Sequence, residues 1–115
     1  MKNVFAALVN LQGRLVTPYS ATDGTQVIAT DGTVTLPTYS SIKRLNPAAA
    51  VTGVILPVGR EEGDTVTLVN ISANSITFAA AATSRVADGA SAVIAALTRM
   101  TLIWDATAAR WFHGN

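Results

Sequence analysis

Thr65-Val66-Thr67-Leu68-Val69-Asn70-Ile71, followed after Ser72-Ala73-Asn74 by Ser75-Ile76-Thr77-Phe78-Ala79, is the stretch whose reading decides the fold. β-Branched and aromatic residues recur at alternate positions, the period of a strand with one face buried. Val66 and Leu68 point one way; Thr65, Thr67 and Val69 point the other. A tight turn around Ala73-Asn74 predicts a hairpin. In that register Ile71 faces Ile76 and Val69 faces Phe78 on the core side, while Asn70 faces Thr77 on the wetter side.

The rest of the chain is punctuated in the same way. Downstream, Ser84–Ala87 and Ser91–Ala95 read as short strands around a turn at Asp88-Gly89. A longer strand, Leu97–Asp105, then turns through Ala106–Ala109 into Arg110–His113. This last hairpin pairs Asp105 with Arg110, Trp104 with Trp111 and Ile103 with Phe112, placing opposite charges at its mouth and aromatics behind them. Upstream, strands are expected at Ile42–Leu45 and Val51–Val58, with a turn at Asn46-Pro47. Ala21-Thr22-Asp23-Gly24-Thr25 recurs as Ala29-Thr30-Asp31-Gly32-Thr33. Asp-Gly is a turn dipeptide, so strands are expected at Gln26–Ala29 and Val34–Leu36; two copies do not make a calcium-binding solenoid. Many short strands with regular turn signals predict an all-β fold, a jelly-roll-like β-sandwich over 17–115. Residues 1–16, with Val4, Phe5, Leu8, Val9 and Leu11 at near-helical spacing, form a separate N-terminal arm, either a short helix or an extended segment closed by Gly13.

The composition points outward, to partners. Of 115 residues, 50% are apolar and only 13% charged, about half the usual charged share. A small domain exposes most of its charges, so a surface this poor in them implies that part of it is covered by other subunits. A homo-oligomer is expected. The formal net charge is +1 and the basic residues are scattered except for Lys43-Arg44, so no nucleic-acid-binding stripe is formed. Lys2 followed by Val4 to Val9 only faintly imitates a signal peptide, because the apolar run stops at Asn10 and Gln12. Nothing approaches the ~20 apolar residues of a membrane helix.

Catalytic chemistry finds little to work with. There is no cysteine and one histidine, His113, expected to be an exposed side chain near the chain end. Asp23, Asp31 and Asp88 are assigned to turns, and Asp105 to an ion pair with Arg110. Glu61, Glu62 and Asp64 cluster on one loop, but Ca²⁺ wants six or more oxygens, so a solvated loop is expected rather than an ion site. No phosphate-loop, dinucleotide, nucleophile-elbow or zinc-protease motif occurs. Trp104, Trp111, Phe112, Tyr19 and Tyr39 could in principle stack on sugars; the Trp pair, flanked by Leu102 and Ile103, reads instead as core. No enzyme activity and no cofactor are expected.

The run Val54-Ile55-Leu56-Pro57, then Glu62-Gly63-Asp64-Thr65-Val66-Thr67-Leu68-Val69-Asn70 and Ala73-Asn74-Ser75-Ile76-Thr77-Phe78-Ala79, resembles a module of tailed-bacteriophage virion proteins. So do Ser84-Arg85-Val86-Ala87-Asp88-Gly89 and Leu102-Ile103-Trp104-Asp105-Ala106-Thr107 with Arg110-Trp111. The likeness spans roughly 51–112 and is structural, occurring in head decoration (cement) proteins and in tail fibre or spike segments alike. With no fibre repeats, heptads or collagen-like stretch in the sequence, the head is favoured. The resemblance implies a compact jelly roll, usually trimeric, seated on the major capsid protein at the virion surface and made in the host cytoplasm. The runner-up is a receptor- or carbohydrate-binding module of the tail. Under the head reading the contact residues are expected to be Val4, Phe5, Leu8 and Val9 of the arm, together with Lys43, Arg44, Glu61 and Glu62.

Overall fold

The computed structural model describes residues 23–114, and the arm with its Val4, Phe5, Leu8 and Val9 lies outside them. The described chain is built from strands β1 (Ile42–Leu45), β2 (Val51–Val54), β3 (Thr65–Asn70), β4 (Ile76–Phe78), β5 (Val93–Ile94), β6 (Arg99–Asp105) and β7 (Arg110–His113). One helical turn, α1 (Ala81–Ser84), and a 3-10 turn at Gly89–Ser91 sit between β4 and β5. The all-β expectation therefore holds for this region, in two mixed sheets ordered β1-β3-β6-β7 and β2-β4-β5. Both sheets turn alternate residues into one core, to which Leu45, Val66, Leu68, Leu102 and Trp104 come from one and Val51, Val54, Ile76, Phe78 and Ile94 from the other.

The predicted 65–71/75–79 hairpin does not form. β3 pairs in parallel with β1 and antiparallel with β6, whereas β4 pairs with β2 and β5. The segment between them is an arch that carries the chain from one sheet to the other. Its corner is held by Asn70, placed on the wet side by the sequence reading but only 1% exposed. Asn70 Nδ2 donates to the carbonyls of Asn74 (2.6 Å), Ile94 (3.2 Å) and Ala95 (3.2 Å), and its Oδ1 accepts from the N–H and Oγ of Ser72. A buried amide satisfied on both sides at this corner sets the inward phase of β3 as Val66, Leu68, Asn70; Val69 is therefore only half-buried and Ile71 exposed. Because β1 and β3 lie in one sheet and β2 and β4 in the other, the chain alternates between layers. That alternation makes the β1–β3 and β2–β4 pairings parallel, since each pair is joined by a crossover through the opposite sheet.

The last hairpin forms in the predicted register, with Asp105 opposite Arg110, Trp104 opposite Trp111 and Ile103 opposite Phe112. The indole centroids are 5.4 Å apart at 60°, both rings are buried, and Trp111 Nε1 donates to the Pro57 carbonyl at 2.8 Å. This is the tilted contact aromatic quadrupoles favour. Gly59 is what lets the preceding loop close over them, because a Cβ there would overlap Trp104 Cγ. Ile103, expected to be buried, faces outward with Phe112. The expected Asp105–Arg110 ion pair is replaced by local bonds: Asp105 Oδ1 accepts the N–H groups of Thr107 and Ala108, and Arg110 donates to the Ala109 carbonyl.

Two further corrections concern short segments. Gln26–Ala29 contributes only the isolated bridge of Gln26 to Leu45, and Val34–Leu36 contributes none, the neighbouring bridge being that of Thr33 to Ile55. The Gln26 side chain ties that loop together instead, donating to Thr33 O at 2.8 Å and accepting Thr35 N–H at 2.9 Å. Ser84–Ala87 is not a strand either: Ser84 ends α1, and only Val86 bridges to Trp111.

Candidate functional site

Two surface regions among the described residues have a character that bears on function. The first lies where the arch out of β3 meets the turn into β6. Val69, Asn70, Ile71, Leu97, Thr98 and Arg99 line a shallow groove of about 560 Å³ there. Leu97 is 74% exposed and Ile71 42%. Leu97 also carries a left-handed backbone, φ 57°, with its N–H held by the Ser72 carbonyl at 3.1 Å. Left-handed backbone is routine for glycine and strained for a branched side chain. Leucine is thus held in a conformation it disfavours and shown to water, which disfavours it again. The sequence reading missed this pair, having assigned Ile71 to the core and Leu97 to a strand. The signal was present in the non-alternating Ala95-Ala96-Leu97-Thr98 ahead of β6.

The second region is a polar cleft of about 540 Å³ between the loop ahead of β1 and the start of β3, with Tyr39, Ser40, Arg60 and Asp64 among its lining. Asp64 grips Arg60 through both carboxylate oxygens, Oδ2 to Nε at 2.9 Å and Oδ1 to Nη2 at 3.0 Å. Hydrogen bonding from Arg60 holds the Asp64 carboxyl below the usual carboxylate range, outweighing its partial burial, and the same bond raises the guanidinium. Asp23 accepts the backbone N–H groups of Thr38, Tyr39 and Ser40 at 2.6, 3.1 and 3.2 Å. Desolvation works against its ionisation, but these bonds prevail and its pKa is also lowered.

Among the residues singled out from sequence, Glu61, Glu62 and Arg44 are exposed, and Glu62 Oε1 caps the N–H of Ala106 at 2.9 Å. Lys43 is a correction: it is only 7% exposed, because its strand position shares the inward phase of Leu45. Of the basic pair, Arg44 alone is exposed. Glu61, Glu62 and Asp64 do not converge, and among the described residues no group of three His, Cys, Asp or Glu side chains is placed to hold a metal. His113 is not free either. Its side chain is 15% exposed and Nε2 lies 2.6 Å from Asp88 Oδ2, off the line of a hydrogen bond. The Val86–Trp111 bridge brings the Asp88 turn beside β7, so this contact clasps the end of the domain.

Comparison with family models, curated proteins and solved structures returns no match. The sites above therefore stand on their own geometry. Among the described residues no helix is long and apolar enough to cross a membrane.

Proposed function

We propose that the chain is a non-enzymatic structural subunit of a phage virion, a head decoration protein that oligomerises, as a trimer, and clamps neighbouring copies of the major capsid protein. The observation that carries this reading is Leu97, exposed on a left-handed backbone beside exposed Ile71. The bond to Ser72 holds the strained backbone, and the cost of exposure is offset when another surface covers the groove. The charge-poor composition and the outward Ile103 and Phe112 add to it. Clamping would then work by number: single contacts of modest area, repeated over the shell, sum through effective concentration. The jelly-roll-like sandwich belongs to the same proposal. Two sheets around one core agree with it, while the parallel β1–β3 and β2–β4 pairs depart from its antiparallel ladder.

A tail fibre or spike receptor module is the second reading, favoured by Tyr39, which is 53% exposed on a loop beside the polar cleft. Electron microscopy of purified virions with a label on this chain separates the two. Label over the head supports decoration, label at the tail tip supports receptor binding, and virions without label refute both.

A further inference from the structure

The cleft beside Tyr39 has a chemical character of its own, independent of the assembly reading. Its rim is fixed, because Asp23 holds three consecutive backbone N–H groups, those of Thr38, Tyr39 and Ser40. Its floor is fixed as well: Arg60 bonds Asp64 through Nε and Nη2, and the Pro37 carbonyl through Nη1 at 2.6 Å. A guanidinium carries five N–H groups, so these three bonds leave two for a ligand. Tyr39 is about half exposed, and the cleft it lines is otherwise lined by Thr38, Ser40, Ser41, Thr65 and this one ion pair.

An anion is poorly served here, because the charge of Arg60 is answered by Asp64, with the carboxylates of Asp23 and Glu61 acting on it as well. A cation would have to displace Arg60 from a bidentate partner. An apolar peptide would find one ring and then polar groups. A sugar ring matches: its C–H face lies on an aromatic plane, and its edge hydroxyls, each donor and acceptor, complement a guanidinium–carboxylate pair. We propose that this cleft binds a neutral saccharide, with Tyr39 stacking on the ring and Arg60–Asp64 bonding adjacent hydroxyls. Because rim and floor are already hydrogen-bonded, little ordering opposes binding.

The test is amide NMR of the full chain titrated with methyl glucoside, methyl galactoside and N-acetylglucosamine, and with N-acetylneuraminic acid as the charged probe. Saturable shifts at Tyr39, Ser40, Arg60 and Thr65 are expected with at least one neutral sugar, at a Kd on the order of millimolar. Tyr39→Ala should weaken binding by about tenfold or more, while Tyr39→Phe keeps the ring and most of the affinity. The proposal is overturned by no saturable shift with any neutral sugar, by a response to N-acetylneuraminic acid alone, or by equal affinity in Tyr39→Ala. Equal losses in Tyr39→Phe and Tyr39→Ala overturn it too. So do shifts of the same amides on concentrating the protein without sugar, which mark the cleft as a subunit contact.

Discussion

Replacing Leu97 by asparagine should improve the isolated domain and damage its assembly. Asparagine tolerates left-handed backbone, and the strain of a leucine there is on the order of 1 kcal/mol. With 74% of Leu97 exposed, the replacement removes little packing from the fold. The variant should therefore be as stable as the parent or up to about 1 kcal/mol more stable. For association the balance reverses. Full burial of a leucine is worth roughly 1.5–3 kcal/mol, and about three-quarters of that remains to be gained when a partner covers the groove. Each contact should weaken by about 1–2 kcal/mol, or roughly five- to thirtyfold in Kd. Urea melts at a concentration where the protein is dispersed read the first effect, and sedimentation velocity across a concentration series reads the second. Ile71→Ser, which also removes apolar surface from the groove but relieves no strain, should weaken association without stabilising the fold. If Leu97→Asn lowers stability and leaves association unchanged, Leu97 serves the fold, and the groove is not the contact.

Trp104→Ala should destabilise by about 3–5 kcal/mol in denaturant melts, since a buried ring is lost from beneath the last hairpin; a near-neutral result would mean the indole is not core. Asn70→Ala should cost about 2–3 kcal/mol, because Ser72 and the carbonyls around the corner lose their partner inside the protein. Stability should fall as pH drops below about 5: the folded-state pKa values of Asp64 and Asp23 are lowered from the ordinary aspartate value, so the stability they contribute is present above that ordinary value and lost as pH falls through the lowered pKa. Asp64→Asn should flatten this acid limb in urea melts run as a pH series, and an unchanged limb would exclude the Arg60 pair as its source. Deleting residues 2–12 should leave a cooperative melt, because the described residues from Ile28 to Trp111 already form one core, while lowering oligomer or capsid affinity. A truncated chain that binds as tightly as the parent would rule out an assembling arm.

Where a residue's environment is set by its own strand, the sequence alone determined the outcome. Alternation separated Val66 and Leu68 from Thr65, Thr67 and Val69, although the core fell on the Val66–Leu68 face and not on the Val69–Ile71 face, and a short loop with cross-strand pairs determined the Trp104–Trp111 register, because both patterns depend on neighbours a few positions away. Which strand lies beside which was decided only by tertiary structure. The segment between Asn70 and Ile76 is compatible with a hairpin or an arch, and the choice rests on carbonyls of Ile94 and Ala95, more than twenty positions from Asn70, that receive its amide. The same distance dependence gave Glu62 to Ala106 instead of to an ion and brought Asp88 against His113. The exposed groove at Ile71 and Leu97 follows from the arch as well. Once Asn70 turns inward to fill the corner, the period of two that buries it must turn its apolar neighbours Val69 and Ile71 toward the surface.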